Sequence, residues 1–144
     1  RDLESKTSDS WARGIVICGK LESELAQMKE EEEKEFRESM GLGESGLKRM
    51  LRLSYDVLGM ISFFTIGDDE VKAWSILKGT EAVKAAGKIH SDIERGFIRA
   101  EVISFDDLVN CGTLAKARKQ GLLRHEGKTY QVKDGDVINF LFNV

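Results

Sequence analysis

The stretch ISFFTIGDDEVKAWSIL, residues 61–77, decides the fold. Ile61–Ile66 and Val71–Leu77 are rich in β-branched and aromatic residues, and Gly67-Asp68-Asp69 between them is a turn signal. The stretch therefore predicts two strands joined by a tight turn. Gly79-Thr80 then opens a helical pattern over Glu81–Ile89, in which Val83, Ala86 and His90 follow helical spacing and Thr80 is placed to cap the N-terminus. Ile98–Ile103 predicts a third strand. Phe105–Val109 and Leu114–Gln120 predict short helices around Cys111-Gly112, with Gly121 ending the second. Leu122–His125 and Thr129–Val132 flank Glu126-Gly127-Lys128, a hairpin signal. Gly135-Asp136 makes another turn before a closing strand over Val137–Val144.

Strand, strand, helix, then further strands ending in a long final one is the order of a β-grasp (ubiquitin-like) sheet wrapped over one helix. The fold class expected for residues 61–144 is thus α+β. Upstream, residues 21–60 have helical periodicity. Leu21, Leu25 and Met28 sit at i, i+4 and i+7, and Phe36 and Met40 resume the pattern after the acidic run Glu30–Glu33. The run itself reads as a solvated helix face. Three glycines within Met40–Gly46 break the pattern, and Leu47, Leu51, Ser54 and Leu58 start a second one, so a helical hairpin is expected.

Residues 1–20 fit neither part. Ile15, Val16 and Ile17 are consecutive and β-branched, which suits a strand covered on both faces of a parallel sheet. One such strand has no sheet to join downstream, so the chain reads as a fragment whose remaining sheet lies upstream of Arg1.

Composition narrows the function classes. The chain has 144 residues, of which 41% are hydrophobic and 33% charged, a globular composition of one domain or two small ones. No apolar run approaches the ~18–20 residues of a membrane span, and no secretory signal pattern opens the chain. Two cysteines, Cys18 and Cys111, and two histidines supply neither a disulfide framework nor a structural zinc site. The formal net charge is −3, and neither side of Ile61 is the strongly basic domain in which nonspecific phosphate attraction dominates. Any nucleic-acid contact must come from a local patch.

Few motifs carry chemistry. Gly14-Ile-Val-Ile-Cys-Gly19-Lys20-Leu21 matches the spacing of a phosphate loop, but Leu21 stands where a Ser or Thr hydroxyl must ligate magnesium. The four middle residues also read as the strand itself. His90-Ser91-Asp92 places three catalytic residue types side by side, yet a triad depends on geometry in space and not on adjacency. His90 reads instead as the end of its helix with a locally bonded ring, and Cys111 as structural. No catalytic residue and no metal ligand is assigned. The best binding candidates are Lys84 and Lys88, one turn apart on a helix, and Arg95 and Arg99, which flank Gly96. They form either a patch for RNA phosphates, with His90 or Phe97 for stacking, or a solvated surface of mixed charge, because Glu81, Asp92, Glu94 and Glu101 interleave with them.

Longer blocks are more specific. Phe63–Trp74, Lys78-Gly79-Thr80, Ala85–Asp92, Glu94–Val102, Gly127–Tyr130, Asp134–Ile138 and Phe140–Val144, in that order, closely resemble the TGS domain of YchF-type Obg-family NTPases, the Obg-like ATPases. The hairpin resembles the end of that family's coiled-coil insertion, and Cys18-Gly19-Lys20-Leu21-Glu22 its last nucleotide-base loop. The resemblance covers about 130 residues.

The resemblance implies three parts: residues 1–20 as the end of a G domain, 21–60 as the helical hairpin and 61–144 as the TGS domain. It implies a cytoplasmic, ribosome-associated parent that uses ATP or GTP with Mg2+, with phosphate loop and switches upstream. Gly19, Lys20 and Leu21 then become nucleotide contacts, while the fragment alone holds no cofactor and is inactive. The expected partner is the ribosome or its RNA, met through Lys84, Lys88, His90, Arg95 and Arg99, and neither a membrane nor DNA. The alternative is a protein-interaction module that orients its own G domain without touching RNA.

Overall fold

The computed structural model describes residues 13–67 and 69–143. The chain divides into two compact units after Leu58.

In the first unit, residues 13–18 enter no sheet, and the expected strand at Ile15–Ile17 is not formed. Val16 is 54% exposed, and Arg49 Nη1 donates to its carbonyl at 3.2 Å. The phosphate-loop match is therefore discounted by Leu21 alone and not by sheet pairing. Three helices follow where a hairpin of two was expected: α1 (Gly19–Leu25), α2 (Glu30–Ser39) and α3 (Gly46–Val57). The first predicted helix is interrupted at residues 26–29, where backbone bonds shorten to i→i+3 spacing. The acidic run then opens α2, and four carboxylates at a helix N-terminus offset the positive end of its dipole. Arg37 joins the two pieces, reaching Glu33 and Glu22 at 2.7 Å each. Ser45 caps α3 by accepting from the Lys48 amide, and Gly46 is buried because a Cβ there would lie 2.8 Å from Ile17 Cγ2.

The second unit is a five-stranded sheet. Its strands are β1 (Met60–Ile66), β2 (Val71–Leu77), β3 (Phe97–Ser104), β4 (Arg124–Glu126) and β5 (Asp136–Phe142), ordered β2-β1-β5-β3-β4. β1 runs parallel to β5, and the other neighbours are antiparallel. Four helices connect them: α4 (Ala82–Ile89), α5 (Ser91–Arg95), α6 (Phe105–Cys111) and α7 (Leu114–Lys119).

Strand alternation sorts the side chains onto two faces. Phe63, Ala100, Val102, Ile138 and Phe140 point to the face packed by Ala82, Ala85 and Ala86 of α4. The small residues let the helix axis lie close to the sheet, while Phe63 and Phe140 meet edge to face at 6.0 Å. Phe64, Ile103 and Val137 point the other way, where Leu108 and Cys111 of α6, Ala117 of α7 and Leu123 cover part of the second face.

Two expectations give way here. Thr80 does not cap α4: its hydroxyl donates to the Leu77 carbonyl, and Glu81 is the residue before the helix, with no side-chain cap. Residues 129–132 do not pair with β4 as a hairpin. Their backbone is taken up by the start of α4, where the Ala82 amide donates to Tyr130 O at 2.7 Å and the Val132 amide to Thr80 O at 3.0 Å. β4 pairs with β3 instead.

Candidate functional site

α4 forms because its alanines bury one stripe, and that stripe leaves Lys84 and Lys88 on the outer face one turn apart. Lys84 Nζ lies 2.6 Å from Glu94 Oε1 of α5, a contact that raises the lysine pKa above its ordinary value, the hydrogen bond being the main cause. Gly87 makes room for it, since a Cβ at that position would collide with the Glu94 carboxylate. His90 ends α4 in extended geometry and begins α5, its Nδ1 accepting from the Asp92 amide at 3.2 Å. Asp92 also pairs with Arg95 at 2.9 Å.

The predicted cluster is thus partly neutralised. Glu94 and Asp92 answer Lys84 and Arg95, and exposed pairs of this kind are screened by solvent and contribute little. Lys88 and Arg99 have no ion pair among the described residues. Arg99 also lies on the wrong side for the cluster. A β-bulge falls between Phe97 and Arg99, after which β3 alternates regularly. Arg99 therefore shares the face of Glu101 and Ile103, while Ala100 and Val102 face α4. The structure brings Lys84, Lys88, His90 and Arg95 together and separates Arg99 from them by the sheet. Phe97, offered for stacking, is 5% exposed and belongs to the core.

Gly19, Lys20 and Leu21 form the first turn of α1, with Gly19 and Lys20 exposed and Leu21 half-buried. The Glu22 amide donates to Cys18 O at 3.0 Å, so the turn is helical from its start.

Sequence reasoning missed a second group. On the face that carries Arg99, Glu101 accepts from Arg118 Nη2 of α7 and Asn139 Nδ2 of β5, both at 3.2 Å, and His125 Nδ1 stands 4.0 Å from its other oxygen. Glu101, Arg118 and Asn139 border a cavity of about 160 Å3 walled also by Ile66, Ile103, Leu114, Leu123 and Val137. The available signal was charge order: residues 113–125 hold Lys116, Arg118, Lys119, Arg124 and His125 and no carboxylate. Among the described residues no group of three or more His, Cys, Asp or Glu side chains is placed to hold a metal, and no helix is long and apolar enough to cross a membrane.

Comparison with known proteins adds the relationship. The family model YchF-GTPase_C, described as "Protein of unknown function (DUF933)", matches residues 60–143. The chain belongs to the YchF-GTPase_C family. Its YchF relatives include the protein of Bacillus subtilis (strain 168) called "Ribosome-binding ATPase YchF", 50% identical over 133 residues, or 92% of this chain. The protein of the same name from Escherichia coli O157:H7 is 48% identical over 130 residues, 90% of this chain. The solved structure of the Schizosaccharomyces pombe YchF GTPase superposes with a TM-score of 0.84 at 31% identity, covering 96% of this chain. In each case the chain spans 36% of the YchF relative's length. The α+β sheet of residues 60–142 is therefore the C-terminal part of the YchF fold.

Proposed function

We propose that this chain is the C-terminal part of a ribosome-associated YchF-type ATPase or GTPase, and that its sheet unit docks the enzyme on the ribosome. The observation that carries the reading is the near-complete match of this chain to proteins named as ribosome-binding ATPases, within only 36% of their length. Nucleotide hydrolysis, with ATP or GTP and Mg2+, belongs on this reading to a G domain in the remaining length. Residues 1–20 are the end of that domain and 21–60 its helical insertion. Gly19, Lys20 and Leu21 pack beside the purine, and the chain alone neither hydrolyses nucleotide nor binds it tightly. The cellular setting is the cytoplasm.

Residues 61–144 act as a TGS domain of the β-grasp type. A mixed sheet with a parallel central pair and one helix across a face supports this assignment. Contact with ribosomal RNA runs through exposed cations, Lys84, Lys88, His90 and Arg95 on the helix side and Arg99 on the other. Lys88 and Arg99 contribute most, because neither must first leave a carboxylate.

Salt-dependent ribosome pelleting tests the reading. Reversing Lys84, Lys88, Arg95 and Arg99 to glutamate should weaken sedimentation and flatten its salt dependence. Binding that is unchanged removes these residues from the contact. Binding that survives high salt and responds only to exposed apolar substitutions favours the alternative, a protein-interaction module that orients the G domain.

A further inference from the structure

The second face of the sheet carries a denser arrangement than the helix side. Arg99 and His125 project from neighbouring strands, Arg118 leans in from α7, and Lys116 and Lys119 stand exposed on the same short helix. Lys116 and Lys119 have no ion pair among the described residues. Arg124 does not join them, because its register partner Val102 faces α4 and its guanidinium lies over the Tyr130 ring on that side. The one carboxylate lining the adjoining cavity is Glu101, whose side chain is 11% exposed.

The cavity has the chemistry of a base socket. Its volume of about 160 Å3 is below the ~300–1,000 Å3 of ordinary ligand pockets and suits one flat ring system. Apolar side chains share the lining with Glu101, Arg118 and Asn139. Glu101 Oε2 is occupied by Arg118 and Asn139, whereas Oε1 accepts no hydrogen bond among the described residues and has His125 Nδ1 4.0 Å away, beyond hydrogen-bond reach. A carboxylate oxygen can only accept, so the group it awaits must donate. Adenine, cytosine and guanine offer an exocyclic amino group with two N–H donors at the ring edge, whereas uracil offers only its single ring N3–H between two carbonyl oxygens that a carboxylate repels. Arg118 lines the cavity, and Arg99 and Lys119 are exposed on the strand and helix that carry Glu101 and Arg118, a charge that matches a phosphate chain.

We infer that this face binds single-stranded RNA, with one unstacked amino-bearing base in the cavity against Glu101 and Asn139, and the flanking phosphates on Arg99, Arg118 and Lys119. The inference rests on the docking reading above and supplies the kind of RNA that is met. A duplex does not fit, because its base edges are paired and stacked, whereas sequence-specific RNA recognition takes bases that are splayed out.

Fluorescence anisotropy of the 144-residue chain with short labelled oligo(A), oligo(U) and an RNA duplex tests it. Oligo(A) should bind at least fivefold more tightly than oligo(U) or the duplex. Arg99→Glu with Lys119→Glu should cost at least tenfold and lower the slope of log affinity against log salt by about 1.4, two phosphate contacts on a single strand. Leu114→Trp, which fills the mouth from a 40% exposed position, should weaken oligo(A) with the slope unchanged. Glu101→Gln should abolish the preference over oligo(U), and it keeps the test open should Leu114→Trp fail to fold. Equal binding of oligo(A), oligo(U) and duplex, or an unaffected Arg99→Glu, Lys119→Glu variant, overturns the inference. Tight binding of free AMP that displaces oligo(A) without any dependence on Arg99 and Lys119 also overturns it, since the ligand would then be a free nucleotide. Ribosome pelleting in parallel separates the two readings. A chain that sediments with ribosomes but ignores oligo(A) loses this inference alone, whereas a chain that does not sediment loses the docking reading.

Discussion

The hydroxyl of Tyr130 donates to Asp136 Oδ2 at 2.7 Å, satisfying a carboxylate that is 2% exposed at the start of β5. The Lys133 amide donates to the same oxygen at 2.9 Å, and Arg124 stands 3.5 Å from the other. A carboxylate this deep is tolerated only when its oxygens are occupied. Asp136→Ala leaves two donors without their acceptor and Arg124 without a charge partner, and should cost about 3 kcal/mol in urea unfolding. Tyr130→Phe removes one donor and should cost about 1 kcal/mol.

The same pair sets an alkaline limit. Burial and then the bond to Asp136 raise the Tyr130 pKa above its ordinary 10.0. A raised value means that the folded state holds its proton more tightly, so this stabilisation is complete below pH 10.0 and is lost as pH climbs through the folded value. Stability of the parent chain should fall more steeply above pH 10.0 than that of Tyr130→Phe, measured by urea midpoints at matched ionic strength.

An acid limit comes from the helical unit. Arg37, through its hydrogen bond, lowers the Glu22 pKa below the ordinary 4.5. The stabilisation is present above pH 4.5 and disappears as pH falls through the lower folded value. Glu22→Gln should flatten the acid loss of helical ellipticity without shifting the alkaline one, because Glu22 and Tyr130 sit in different units.

Gly96 tests the closure of the sheet. A Cβ there would collide with the backbone carbonyl of Asn143, whose amide donates to Gly96 O at 2.9 Å. Backbone cannot swing aside as a side chain can, so Gly96→Ala should cost about 2 kcal/mol. Hydrogen exchange should quicken at the ends of β3 and β5.

Gly87→Ala should behave differently. The helix gains about 1 kcal/mol of propensity, while Glu94 is pushed from its seat and Lys84 is released. Net stability should change by less than about 1 kcal/mol. If the helix side meets RNA, the freed lysine should strengthen ribosome association at low salt, and pelleting against the unsubstituted chain measures it.

The elements of the sheet unit were largely legible. Val71–Leu77 is a strand over the range its composition marks, and Gly121, at φ 71°, ends α7 as expected of a glycine after a helix. Local pattern failed where a long-range partner competed. Residues 129–132 are strand-like, but residues 80–82 offered their backbone a nearer partner than β4 did. The first helix appeared continuous because Leu21, Leu25 and Met28 keep its period, and nothing in the spacing marks the break at residues 26–29. Ile15–Ile17 looks like a strand by β-branching alone, and no described strand pairs with it.

Local order along the chain determined the alternation of strands and helices, the alanine stripe that seats α4, and the block pattern that ties residues 60–143 to the YchF-GTPase_C family. Those features depend on neighbours three or four residues away. Only the tertiary structure decided that Arg99 leaves the lysines of α4 for the opposite face, and that Arg118, His125 and Asn139 converge on Glu101. A bulge of one residue reverses the side a strand residue faces, and the four polar groups come from four different elements. Neither fact leaves a periodic trace in the order of residues.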